Sequence, residues 1–157
     1  ADAFFGRTVT EYKKWLIDNT REQLDFVLLD LIRLSQNQIV LCDCHLTVEE
    51  AEKLTEASRI VFLIKEPSNL VDDYCNRSDH RGFSAFINST SDFEKAKALC
   101  NETLKSLNEK KYNDIKRSSY YWIERTPKST VNETVKKVER HFGFEKTSHH
   151  ELLEQKK

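Results

Sequence analysis

Cys42, Asp43, Cys44 and His45 stand in a row inside the stretch QIVLCDCHLTVEE, which runs from Gln38 to Glu50. Side chains of these types could ligate zinc, carry thiol redox chemistry, or present an acid and an imidazole to a ligand. Structural zinc asks for four ligands, usually as two spaced pairs. Here the candidates are clustered and no second pair is near in sequence. On a strand Cys42 and Cys44 share one face while His45 points to the other, so a single ion does not easily collect all three. A disulfide between residues two apart on a strand needs strained geometry. The plainer reading of the thiols is small hydrophobes filling a buried strand. Asp43 and His45 then fall at the carboxyl end of that strand, where open α/β sheets bind their ligands. An acid there can hold a magnesium-bound water or take a proton from a hydroxyl. The competing role for Asp43 is to cap the next helix or to pair with a nearby base.

The elements that would position these residues follow from pattern. Thr8 with Glu11 forms a capping box that opens a helix running to about Ser35, with Leu24, Val27, Leu28, Leu31 and Ile32 at helical spacing. Ile39–Asp43 reads as a short buried strand. Thr47 with Glu50 opens a short helix to about Ala57, and Arg59–Ile64 is a second buried strand. Pro67 fits the first turn of a helix that continues through SNLVDDYCNR. The stretch 77–91 is polar and reads as a mobile loop or lid. Ser91 with Glu94 is a third capping box, opening a helix to about Ser106, and a shorter helix follows over Tyr112–Arg117. Tyr120–Glu124 is a third strand. Tyr120 and Trp122 share a face of it, which favours core packing over a stacking platform for bases. Thr130 with Glu133 caps a last helix, ending near Phe142 with Gly143 beyond it. Strands alternating with helices predict an α/β domain over residues 1–144, with a parallel sheet and helices on both faces, followed by a polar tail over 145–157.

Composition narrows the function classes. The 157 residues suffice for one domain with a core. Their 25 basic and 26 acidic side chains leave a net charge of −1, so no basic field points to nucleic acid. No apolar run approaches the roughly 20 residues that span a bilayer, so no membrane role is expected. The four cysteines lack a disulfide-scaffold spacing and no secretory signal is visible, which predicts reduced thiols and a cytoplasmic protein.

From Arg21 onward the order of features resembles the shikimate kinase and nucleoside-monophosphate kinase branch of the P-loop kinases, over about four fifths of the chain. TREQ, at Thr20–Gln23, resembles the segment whose arginine grips an anionic acceptor. RIVFLIKEPSNLVDDYCNR resembles the strand and helix that lead to the lid, and RSDHRGF the lid itself. YYWIERTPKSTVNETVKKV resembles the last strand, the adenine-contacting loop and the final helix. The resemblance implies ATP-dependent phosphoryl transfer to a small-molecule hydroxyl or phosphate acceptor, with magnesium. Arg7, Arg21 and His45 would bind the acceptor, residues 1–36 forming the acceptor-binding helices. Asp43 would organise magnesium or act as base, with Arg77 and Arg81 on the transferred phosphates. Arg77, Arg125, Thr126 and Pro127 would hold the nucleotide. Ordinary surface charge, an Arg21–Asp25 pair and a plain turn at Thr126–Pro127 are the competing readings.

The chain departs from this family at its defining motif. No G-x-x-x-x-G-K-[ST] occurs, and Gly6, Gly82 and Gly143 are too few and too scattered to build one. Methionine is absent, including at position 1. The expectation is therefore a portion of a kinase-like protein without its first strand and phosphate loop, inactive alone and self-associating through an exposed sheet edge. The alternative is a non-catalytic α/β module that binds a partner or ligand.

Overall fold

The computed structural model describes residues 1–67 and 81–144, Arg81 by its backbone only. Within them lie α1 (Asp2–Phe5), α2 (Val9–Leu34), α3 (Val48–Leu54), a 3-10 turn at Ala57–Arg59, β1 (Val61–Ile64), α4 (Arg81–Asn88), α5 (Phe93–Arg117), β2 (Tyr121–Glu124) and α6 (Val131–Phe142). The architecture of the described residues is α/β: helices with one small parallel sheet.

Three of the four capping boxes start helices as expected. Thr8 Oγ1 accepts from the Glu11 amide at 3.3 Å, and the Glu11 carboxylate accepts from the Thr8 amide at 2.8 Å. The same exchange opens α3 at Thr47 and Glu50 and α6 at Thr130 and Glu133. Each satisfies donors that the first helical turn leaves without a partner. At the far end of α6, Gly143 adopts φ +74°, a left-handed conformation that glycine takes without steric penalty.

The fourth box is displaced by one residue. Asp92, not Ser91, caps α5: its carboxylate accepts from the Lys95 amide at 3.0 Å and its carbonyl from the Ala96 amide at 3.1 Å. Ser91 is engaged elsewhere, donating its amide at 2.7 Å and its hydroxyl at 3.0 Å to the Asp2 carboxylate. These bonds hold the Asp2 carboxyl below the ordinary carboxylate range. The tertiary partner takes the serine, and the next acceptor in sequence takes the helix.

Three further expectations are corrected. Ile39–Asp43 is not a strand: it has no regular structure, and Ile39 and Leu41 are 85% and 71% exposed. A short apolar run shows only that a strand is feasible, and a ladder requires a neighbour. Its cysteines therefore do not fill a core; Cys42 is exposed and Cys44 half-buried, whereas Cys100 is buried. Within the stretch 77–91, Arg81–Asn88 form helix α4 where a loop was expected. The helices expected to end at Ser106 and to restart at Tyr112 are one helix, α5. No Gly or Pro interrupts the intervening residues, and Lys110 pairs with Asp114 one turn on at 2.5 Å. The expected helix after Pro67, the entrance to the lid and the tail over 145–157 lie outside the described residues.

The chain groups into two compact units, residues 1–46 with 70–108 and residues 47–69 with 109–157. In the first, Phe5, Tyr12, Ile87, Ala96, Leu99 and Cys100 form a buried cluster with Phe4, Val9, Leu16 and Phe83 against it. Phe4 meets Phe5, Tyr12, Trp15 and Phe86 edge to face, at centroid distances of 4.9 to 5.4 Å. Lys13 Nζ donates to Ser106 Oγ at 2.9 Å, tying α2 to α5.

In the second unit β1 and β2 pair in parallel, Val61 with Tyr121, Phe62 with Trp122, Leu63 with Ile123 and Ile64 with Glu124. Period-two alternation puts Phe62, Ile64, Trp122 and Glu124 on one face and Val61, Leu63, Tyr121 and Ile123 on the other. Tyr112 of α5 reaches the first face at Glu124. His141 of α6 stacks on Tyr121 of the second at 4.8 Å and bonds the Ile60 carbonyl through Nε2 at 2.8 Å.

The displaced cap makes a direct test. Asp92→Ala is expected to lower stability by about 1 kcal/mol. Glu94→Ala, which would break a box at Ser91, costs under about 0.5 kcal/mol. Urea unfolding followed by circular dichroism measures both, and the reverse ranking restores Ser91 as the cap.

Candidate functional site

The residues singled out in the sequence are distributed over both compact units. Asp43 and His45 lie exposed in the irregular segment between α2 and α3. Among the described residues no group of three or more His, Cys, Asp or Glu side chains is placed to hold a metal ion. Magnesium is commonly held by one or two carboxylates, with waters and substrate phosphates completing its shell. The exposed Asp43 carboxylate offers the first of these without a built cage. Arg21 is exposed on α2. Arg7 is already committed: its guanidinium donates to the Phe4 carbonyl at 2.9 Å and lies 4.8 Å from the Phe4 ring centroid and 5.7 Å from that of Trp15. Arg81 is the first residue of α4, and Arg77 lies outside the described residues.

Arg7, Arg21, Asp43, His45 and Arg81 belong to the first compact unit, and Arg125, Thr126 and Pro127 to the second. The Arg125 amide donates to the Ile64 carbonyl at 2.7 Å, adding one bond beyond the last strand pair. Thr126 and Ser129 close a turn, with the Ser129 amide bonding the Thr126 carbonyl at 2.9 Å and the Thr126 amide bonding Ser129 Oγ at 3.0 Å. This turn delivers the chain to the Thr130 cap of α6.

Among the described residues, one well-formed polar cluster is one that sequence reasoning passed over. Tyr112 and Lys116, one turn apart on α5, meet Trp122 and Glu124, two apart on β2. The Tyr112 hydroxyl donates to Glu124 Oε1 at 2.7 Å, and Lys116 Nζ lies 3.0 Å from Oε2. The ammonium also sits 4.5 Å from the Tyr112 ring centroid and 5.1 Å from that of Trp122. Tyr112 first, and then Lys116, hold the Glu124 carboxyl below its ordinary range. The Tyr112 and Glu124 oxygens in turn raise Lys116. A carboxylate stabilised in this way is a weak proton acceptor near neutral pH. The cluster therefore fastens α5 to β2 at the sheet's carboxyl end. The usable signal was joint: an i,i+4 pair on a helix and an i,i+2 pair on the next strand, complementary in type.

Helix α2 carries the other feature that internal packing does not use. At about 100° per residue, Leu24, Val27 and Leu31 point one way; Leu24 is buried and the other two are half-buried. Phe26, Leu29 and Ile32 point the opposite way and are 71%, 65% and 65% exposed. The sequence pattern grouped Ile32 with the inward row, whereas the structure turns it out. Ile39 and Leu41, beyond the helix, continue the exposed apolar series. Single exposed apolar residues are unremarkable, but five along one connected stretch leave an unusual amount of apolar surface in water.

The Glu124 cluster sets a pH dependence. Because its folded-state value is depressed, Glu124 adds stability above the ordinary carboxylate value and loses it as pH falls through the folded-state value, below about 4.5. Tyr112→Phe is expected to raise the Glu124 titration midpoint, read by carboxyl-carbon NMR, and to cost about 1 kcal/mol at neutral pH. An unchanged midpoint would show that the hydroxyl does not hold the carboxylate. No protein-family model, curated protein or solved structure matches the chain.

Proposed function

We propose that this chain acts as an interaction module that docks another polypeptide on the outer face of α2 and the segment that follows it. The supporting observation is the exposure of Phe26, Leu29 and Ile32, with Ile39 and Leu41 beyond them. Apolar groups left in water gain by burial against a partner, by roughly 25 cal/mol per Å² removed from solvent. On this reading Arg21, Asp43 and His45 border the contact surface and supply charge to its rim. The residues on the inward side of α2 hold the helix in place.

The substitutions Phe26→Asp and Leu29→Asp test it. They remove little internal packing, so the circular dichroism spectrum and the unfolding midpoint should be nearly unchanged, within about 0.5 kcal/mol. Binding of an apolar-surface dye to the native protein should fall. Loss of the folded state in both variants would place these side chains inside the protein and end this reading.

A second reading is favoured by the parallel β1–β2 pair, whose carboxyl end leads into Arg125, Thr126 and Pro127. Ligands of open α/β sheets gather at that end. On this reading the chain contributes to an ATP- and magnesium-dependent kinase acting on a small-molecule acceptor, with the phosphate loop supplied from outside this sequence. Calorimetry with ATP and magnesium is expected to give no saturable heat with this chain alone, because the phosphate loop makes most phosphate contacts. Saturable heat with this chain alone would overturn the argument that the missing loop carries the phosphate contacts, and with it this form of the kinase reading.

A further inference from the structure

We propose that the partner docked on the outer face of α2 is a second copy of this chain, whose α2 runs antiparallel across a two-fold axis at Leu29. This rests on the interaction-module reading and adds the identity of the occupant. The argument is charge and shape register. An antiparallel self-pair centred on residue 29 sets each position opposite the one equally far on the other side of the centre. Phe26 then meets Ile32 of the copy, and Leu29 meets Leu29. Asp25 meets Arg33, and the symmetry makes that contact twice. Asp25 and Arg33 are both exposed. With helical geometry both fall within about 40° of the Leu29 direction, inside the same face as the apolar row. A parallel arrangement in the same register would set Asp25 against Asp25 and Arg33 against Arg33. The face is thus self-complementary in one orientation and repulsive in the other. An unrelated partner would need no such palindromic pattern of charge and apolar residues. An axial, apolar Leu29 flanked by oppositely charged residues at equal spacing is what a closed two-fold contact uses.

Sedimentation and light scattering of the whole chain test the pairing. The wild type should be a dimer that dissociates on dilution. Asp25→Arg alone sets two arginines against each other at two places, and Arg33→Asp alone does the same with two carboxylates. Each single variant should weaken the dimer by about tenfold or more. The double variant D25R/R33D restores opposite charges and should recover wild-type association, an outcome that general surface damage would not produce. In a Cys42→Ser, Cys44→Ser, Cys75→Ser background, Leu29→Cys should form an intermolecular disulfide across the axis under oxidation. Phe26→Cys in the same background should crosslink far less. A wild type that is monomeric at every accessible concentration overturns the pairing, as does a dimer insensitive to both single charge reversals. In either case intact folding of Phe26→Asp and Leu29→Asp leaves the module reading standing. Unfolding of those variants removes both.

Discussion

Burial along α5 is the constraint on which both compact units depend. Ala96, Leu99, Cys100 and Thr103 recur at three- and four-residue spacing and are buried in the first unit. Ile115, also buried, belongs to the second, where Tyr112 and Lys116 engage Glu124. One uninterrupted helix thus supplies core to each unit. It remains a helix through the polar stretch around Asn108 because nothing there breaks the backbone pattern, and because its ends are secured by burial. Without the Asp92 cap the first turn of α5 would leave amide donors unsatisfied beside the bonds that tie Ser91 to Asp2.

The two strands show how little sheet the chain needs when each face is served. A pair of four-residue parallel strands is marginal by itself. Here α5 side chains reach one face and His141 of α6 stacks on the other. The Tyr112–Glu124–Lys116 cluster closes the sheet's carboxyl end with a carboxylate kept ionised by its donors. That arrangement gives rigidity at the position where an α/β protein would otherwise offer a reactive group. Beyond the cluster, Arg125–Pro127 leave this end as an exposed turn.

Much of the helical framework was legible from short-range pattern. Three capping boxes and the glycine after α6 need only neighbours within four residues, so their physics is local. The two strands in the structure were legible as apolar runs bounded by polar residues. Ile39–Asp43 has the same signature and does not form a strand, because a strand is completed by a pairing partner that its own residues do not encode. Ser91 was misread for a related reason: the serine had two competing acceptor and donor opportunities, and the distant Asp2 carboxylate won. The outward face of α2 was partly visible, but its inward and outward apolar rows merge when only spacing is read.

Local pattern alone was enough for the starts of three helices at Thr8, Thr47 and Thr130, the end of α6 at Gly143, the even charge balance and the lack of a phosphate-binding glycine motif. Those follow from local hydrogen bonding and from residue types. Packing settled which of the apolar runs pair, that Ser91 turns to Asp2 while Asp92 caps α5, and which side of α2 is left in water. It also brought Tyr112 and Lys116 to Trp122 and Glu124. Such choices depend on competition between groups far apart in the chain, and that competition is resolved only when the chain packs.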